Sequence, residues 1–401
     1  MKIKPEKKIL FETLQYYIKL LCCLLLKILY IFPIKNNRII FESYSGKSYS
    51  CNPKYIYKAI SKKYPEEHEA IWVINKKTSD LNHTVCVKRN SLKYCYYMLT
   101  SKVIVVNWGV NAFLPYRKNQ LIINTWHGGG AYKKMGTDVT LSQIEKKRIL
   151  QDGKKTDIVI SSNRRFSIAF SHAYGLSINK LWEIGMPRND VLISYNLYDK
   201  EKILKRLGFN SKQKLVLYAP TFRGHISKAH SMNTTIDQKK CLDSLKKRFH
   251  GEWVFGIRTH YIYNSHKITL SETIDLSNYP DMQELLIAAD VLITDYSSCM
   301  WDFSLTEKPC FIYATDSDQY INERDFYTPM SNWPFPIAKN NEELIDNILN
   351  YNKQTYNERV KKHHNQLGIC ESGHASELVA DTIYDYCFNH ISKVNITKQN
   401  S

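Results

Sequence analysis

The sequence predicts an α/β protein: two doubly wound, Rossmann-like domains facing across a cleft, preceded by an amphipathic helix. Three observations lead there. Nine short apolar runs each pass into a polar or Gly-containing loop and then a helical pattern, the signature of parallel strands joined by crossover helices. The stretch Gly185–Lys200, which lacks a long apolar run, separates five of these runs from the other four. Residues 1–35 follow another rule, a helical apolar pattern interrupted by lysines.

At 401 residues the chain has room for about two to three domains. Its 43% hydrophobic and 12% aromatic residues supply cores, and a charged fraction of only 23% argues against a mainly disordered chain. Lys and Arg number 56 against 38 Asp and Glu, a net charge of +18. Such a surface concentrates phosphorylated metabolites, anionic polymers, lipid headgroups or nucleic acid. The ten cysteines include no CxxC pair and no paired metal spacing, so reduced thiols in a cytosolic compartment are expected rather than a secreted disulfide framework.

In the first element, residues 1–34, Lys8, Glu12, Gln15 and Lys19 recur at steps of four, three and four and share one helix face. Tyr16, Tyr17, Leu20, Leu21, Leu24, Leu25, Ile28 and Leu29 cover the rest, and Pro33 ends the pattern. Lys19 and Lys27 interrupt the apolar run, so no clean span of about 20 residues is read. The expectation is a helix lying in the membrane interface with its basic residues toward anionic headgroups.

The first α/β domain, residues 35–196, takes its strands from Arg38–Glu42, Ala70–Ile74, Val103–Val106, Leu121–Thr125 and Asp157–Ile160. The second, residues 197–392, takes Lys214–Tyr218, Trp253–Ile257, Val291–Thr294 and Cys310–Tyr313, and ends on a helical pattern over Glu377–Asn389. Residues 393–401 read as a frayed tail. Ligands of such sheets bind at the carboxyl ends of the strands, and the informative residues lie there.

Five constellations stand out. Trp126-His127-Gly128-Gly129-Gly130 follows a strand and leads to Lys133 and Lys134; the glycines allow close backbone approach to a ligand, and His127 beside an anion cradle suits a general base. Pro187-Arg188-Asn189-Asp190 offers a planar guanidinium suited to phosphate. Ala219-Pro220-Thr221-Phe222-Arg223 follows a buried strand, with Thr221 able to meet a nucleotide and Arg223 to balance phosphate charge. Arg258-Thr259-His260 puts two donors for a leaving phosphate at another strand end. Thr294-Asp295-Tyr296-Ser297-Ser298 precedes a helix, where hydroxyls and open N–H groups suit a diphosphate, and Asp302, one turn on, suits a donor hydroxyl. Asp316-Ser317-Asp318 spells a DxD pattern that in some nucleotide-sugar enzymes holds a divalent cation; such Asp-rich loops are common, and no obligatory cofactor is expected.

In this order and spacing, the five constellations resemble the CDP-glycerol glycerophosphotransferase family, which primes or polymerises teichoic acids and related capsule polymers at the bacterial cytoplasmic membrane. The matches are Trp126-His127-Gly128, Pro187–Asp190, Tyr218–Thr221, Arg258-Thr259-His260, Thr294–Ser298 and Trp301-Asp302, with Phe41-Glu42-Ser43 and Gly46-Lys47 also similar. Gly129-Gly130 stands where the family often has Thr-Pro, and Ser372-Gly373 where it has Asp-Gly. The resemblance implies a GT-B-like pair of domains with the donor held mostly by the second. It implies that His127 takes the proton of an acceptor hydroxyl, that Arg188, Arg258, His260, Ser297 and Ser298 bind the diphosphate, and that Pro220, Thr221 and Asp302 complete the donor site. Implied partners are CDP-glycerol or CDP-ribitol, a lipid-linked glycan or polymer acceptor, and an anionic membrane surface, with no nucleic acid. The rivals are a GT-B nucleotide-sugar glycosyltransferase, which also needs an anion cradle, and a non-catalytic basic protein, which leaves unexplained why polar motifs follow strand after strand.

Overall fold

The computed structural model describes residues 5–82, 84–210, 212–221, 236–259 and 273–398, and the chain folds as α/β around two parallel sheets. It forms two compact units. One comprises the chain up to His127, Met135–Arg188 and the part from Cys370 on; the other comprises Gly128–Lys134 and Asn189–Ile369.

The first unit holds β1 (Lys35–Glu42), β2 (Glu69–Val73), β3 (Val85–Val87), β4 (Ser101–Val106), β5 (Leu121–Asn124), β6 (Ile158–Ser161) and β7 (Leu181–Glu183). They lie in the order β3-β2-β1-β4-β5-β6-β7, every neighbouring pair parallel. Successive side chains of a strand point to opposite faces. Ile39, Phe41, Val103, Val105, Ile123 and Ile160 therefore fill one core, and Ile40, Ile71, Val73, Ile104, Val106 and Ile122 fill the other. Burial on both faces is why these strands read as unbroken apolar runs. Helix Ala375–Phe388 packs Val379, Ala380 and Ile383 into the first of these cores.

The second unit holds β8 (Gln213–Tyr218), β9 (Glu252–Ile257), β10 (Thr273–Asp275), β11 (Ala289–Thr294), β12 (Cys310–Tyr313) and β13 (Ile337–Ala338), in the order β10-β9-β8-β11-β12-β13 and again parallel. All nine expected strands are present. The four additional ones, β3, β7, β10 and β13, are the edges of the two sheets and span only two or three residues.

The linear division at residue 196 differs from what is found. The chain does pass from one unit to the other inside the expected linker, between Arg188 and Asn189, but two further segments change allegiance. Gly128–Lys134 joins the second unit because Tyr132 is buried in its core and the Tyr132 carbonyl accepts from Tyr327 N–H at 2.7 Å. The chain beyond Cys370 returns to the first unit, where the expected frayed tail instead forms helix Lys393–Lys398. Ile396 is buried in the first unit's core and Lys393 Nζ sits 2.7 Å from Asp157 Oδ2.

The N-terminal helix Pro5–Leu25 continues as a 3-10 helix over Leu26–Ile31. Tyr16 packs edge-on to Phe113 and accepts from Gln151 Nε2 at 2.9 Å, while Arg117 donates to the carbonyls of Leu29 and Phe32, both at 2.7 Å. Leu14, Ile18, Leu21, Leu25, Ile28 and Ile31, at helical spacing, remain exposed. The segment Thr13–Ile31 is also long and apolar enough to cross a membrane, a property that the two interrupting lysines had argued against.

Close packing fixes helix Gln143–Lys155, which starts in a Ser142/Glu145 capping box. A Cβ on Gly153 would lie 2.1 Å from the Tyr174 carbonyl oxygen. Helix propensity alone favours Gly153→Ala by about 1 kcal/mol; the clash reverses the sign. The expected result is a destabilisation of about 1–3 kcal/mol in urea unfolding, and a stabilised variant would show that the contact yields.

In the second unit, helix Lys353–Leu367 buries His363 and half-buries its neighbour His364. His363 Nε2 lies 3.0 Å from Tyr132 Oη, and His364 Nε2 lies 2.7 Å from Ser304 Oγ. Burial pushes both imidazoles down to about 4. They stay neutral in the fold but take up protons near pH 6.5 once unfolded, at about the ordinary histidine value. Their contribution is therefore complete above about pH 6.5 and is lost as the pH falls toward 4. Urea midpoints measured from pH 7 down to pH 4.5 should decline across this window, and His363→Gln, which keeps a hydrogen-bonding group but cannot titrate, should flatten the decline.

Candidate functional site

In the first unit the strand order reverses between β1 and β4. Connections on the two sides of such a reversal run over opposite faces of the sheet, leaving a crevice at the carboxyl ends. Tyr44, after β1, donates its N–H to Asn107 Oδ1, after β4, at 2.7 Å. Beside them, β5 delivers Thr125, Trp126 and His127. Thr125 N–H donates to the Val106 carbonyl at 2.7 Å, extending the sheet by one rung. Trp126 then turns into the left-handed region, φ 52°, which is costly for a residue with a Cβ. Its N–H is held by Asn124 Oδ1 at 3.0 Å, and Asn52 Nδ2 donates to both the Thr125 and the Trp126 carbonyls at 3.0 Å.

The turn carries His127 against the loops after β1 and β4. His127 Nδ1 lies 2.8 Å from the Asn107 carbonyl oxygen. The Trp108 ring stacks flat on the imidazole at 4.5 Å and 8°, and Trp126 lies against it at 4.5 Å and 35°. Arg188 belongs to the same arrangement: its N–H donates to Asn52 Oδ1 at 3.0 Å and its Nη1 to the His127 carbonyl at 2.7 Å. Within this unit Arg188 thus braces the His127 turn, a use its phosphate-binding chemistry did not suggest. Sequence reasoning also missed Asn52, Asn107 and Trp108. Asn52 reads as an ordinary residue of a helix start, and the Asn107 interaction with His127 is made by a backbone carbonyl, which no side-chain pattern reveals.

In the second unit the order reverses between β8 and β11, and three constellations gather at the ends of β9, β8 and β11. Thr221, following Pro220, donates its N–H to Asp295 at 2.9 Å and its hydroxyl to Asp295 Oδ1 at 2.5 Å, while Tyr296 N–H donates to Asp295 Oδ1 at 2.5 Å. Arg258 continues the ladder through its N–H to the Tyr218 carbonyl, and its Nη2 donates to the Tyr279 carbonyl at 3.2 Å. Thr259 N–H donates to Ser277 Oγ at 3.1 Å. His260 and Arg223 lie outside the described residues. Ser297 and Ser298 lead into helix Cys299–Ser304, and the carboxylate of Asp302 accepts from Asn189 Nδ2 and Gln283 Nε2, both at 3.2 Å. Asp302 is thereby engaged with protein partners at the position where a donor hydroxyl was expected. Of the DxD loop, Asp316 accepts from Tyr296 Oη at 2.9 Å, whereas Asp318 is largely exposed and 3.7 Å from Lys339 Nζ.

The glycine segment joins this second cluster. A Cβ on Gly128 would lie 3.1 Å from Ser298 Oγ, so a glycine here lets the backbone run against the serine pair. Gly130, φ 81°, makes the turn that seats Tyr132; a Cβ there would come within 2.3 Å of the Tyr132 ring. Gly129 lies between them. Lys133 bridges Phe326, and Lys134 pairs with Asp325 at 2.5 Å. The first and fifth constellations, far apart in sequence, therefore meet at Gly128 and Ser298.

The family model for CDP-glycerol:poly(glycerophosphate) glycerophosphotransferases matches residues 24–385. A teichoic acid poly(glycerol phosphate) polymerase of Bacillus spizizenii is 33% identical over 89% of this chain and 94% of its own. A teichoic acid poly(ribitol-phosphate) polymerase of the same organism is 28% identical over 88% of this chain and 56% of its own. The chain spans about half the length of two other poly(glycerol phosphate) polymerases. The fold is similar to a solved structure of a variant of the wall teichoic acid polymerase TagF with CDPG, with a TM-score of 0.80 and 30% identity over 90% of this chain and 91% of that one. A match over nearly the whole folded chain, reached independently by sequence and by fold, makes this protein a member of the CDP-glycerol:poly(glycerophosphate) glycerophosphotransferase family.

Proposed function

We propose that this enzyme transfers glycerol phosphate from CDP-glycerol to a hydroxyl of a membrane-linked acceptor in teichoic acid or capsule-type polymer synthesis, releasing CMP. The observation that carries the reading is the placement of Gly128, the residue after His127, against Ser298 of the serine pair. In this reading the donor is held mostly by the second unit. His127 Nε2 removes the acceptor proton, the acceptor oxygen forms a bond to the distal phosphorus, and the bond from that phosphorus to the CMP oxygen breaks. The proton stays on His127 and the leaving charge on CMP. Arg258, His260, Ser297 and Ser298 bind and neutralise the diphosphate, with Arg188 acting through the His127 turn, and Pro220, Thr221, Thr259 and Asp302 shape the donor site. Phosphoryl-type transfer is served mainly by positioning and charge stabilisation, and no obligatory cofactor is assigned.

His127→Ala should cut CMP release by about 10²–10⁴-fold while leaving CDP-glycerol binding largely intact. Turnover above about a tenth of wild type counts against His127 as the base. Offering CDP-glycerol, CDP-ribitol and a panel of UDP-sugars separates the donors: CMP from CDP-glycerol is expected, CMP from CDP-ribitol alone assigns a ribitolphosphotransferase, and UDP release assigns a glycosyltransferase.

The same reading places the enzyme peripherally on the cytoplasmic face of the membrane, docked through the exposed stripe Leu14, Leu21, Leu25, Ile28 and Ile31. Replacing Leu21, Leu25 and Ile28 by Asn, at sites 58%, 67% and 72% exposed, should move the protein from sedimented anionic vesicles to the supernatant without altering its fold. Continued sedimentation places the anchor elsewhere.

A further inference from the structure

The connection after β4 has no assigned part in the reaction, yet it makes two of the direct contacts that orient the His127 ring. A carbonyl oxygen can only accept a hydrogen bond. With Nδ1 at 2.8 Å from the Asn107 carbonyl, neutral His127 carries its hydrogen on Nδ1 and its lone pair on Nε2, the arrangement a general base needs. Trp108, the next residue, stacks on the imidazole at 4.5 Å and 8°, a contact that is lost if the ring plane turns. Trp108 is nonetheless 57% exposed, which is unusual for an indole whose only task is to fill a core.

The turn is held from outside the site. Val110 N–H donates to Asp152 Oδ1 at 2.9 Å, and Asp152 lies on helix Gln143–Lys155, more than forty residues along the chain. Gly109, φ 88°, passes so close to that carboxylate that a Cβ would fall 2.2 Å from Asp152 Oδ2. Only glycine fits both the conformation and the space. The sheet supplies the other end, through Tyr44 N–H to Asn107 Oδ1.

We propose that the turn Asn107–Val110, clamped by Asp152, is the positioning element of the reaction: the Asn107 carbonyl sets the His127 tautomer and Trp108 sets its ring plane. The proposal rests on His127 being the base, and its test separates the two. Trp108→Ala, Trp108→Phe, Gly109→Ala and His127→Gln are compared in the full-length enzyme by CMP release and by nitrogen NMR of ¹⁵N-histidine-labelled protein, with His127→Gln identifying the His127 signals. Wild type should show the Nδ1–H tautomer. Trp108→Ala and Gly109→Ala should move His127 toward a mixture of tautomers and lower kcat by about tenfold or more, with KM for CDP-glycerol changed less than about threefold. Trp108→Phe, which restores a stacking face, should recover kcat to within about threefold of wild type. Unchanged kcat or unchanged His127 nitrogen shifts in both Trp108→Ala and Gly109→Ala overturn the proposal, as does an Nε2–H tautomer in wild type. Full turnover by His127→Gln overturns the base assignment instead.

Discussion

Each sheet reverses its strand order once, and the rest of the site depends on how that reversal is stitched. At a reversal the two connections leave over opposite faces, so no helix covers the strand ends between them. The uncovered ends carry backbone groups that need partners. In the second unit Asp295 supplies them, accepting from Thr221 and Tyr296 and so joining the loops after β8 and β11. In the first unit Asn107 does the same, accepting from Tyr44 and joining the loops after β1 and β4. One acceptor side chain per sheet thus holds two loops in register, and the chemical groups ride on those loops.

The division of labour among polar residues follows. Groups expected to contact the donor are not all presented as ligands. Arg188 and Asp302 are each engaged inside their own unit, one with the His127 carbonyl and the other with Asn189 and Gln283. Charge-assisted bonds of this kind are among the stronger available to a loop. A reaction that relies on positioning needs such braces as much as it needs ligands.

Much of the fold was legible in the residues because central strands of a parallel sheet are buried on both faces and so read as continuous Ile, Val and Leu runs. The edge strands β3, β7, β10 and β13 were not legible, because an edge pairs on one side only and two or three residues suffice. The return of helix Ala375–Phe388 to the first unit was equally hidden: its apolar face identifies a buried helix but does not name the core that receives it. His127, Ser298 and Arg258 stand at strand ends, where their positions after apolar runs put them. Asn52 and the Asn107 carbonyl were missed because what they do is hold backbone, a role without a side-chain signature.

The sequence by itself determined the class of fold, the central strands, the position of the polar motifs at strand ends and the family they resemble, since each of these follows from local pattern and spacing. The tertiary structure alone decided which unit each segment joins, that Gly128 lies against Ser298, and that a carbonyl and two indoles hold His127. Those are contacts between residues distant along the chain, and the energies that select them come from packing and hydrogen-bond geometry that no local pattern contains.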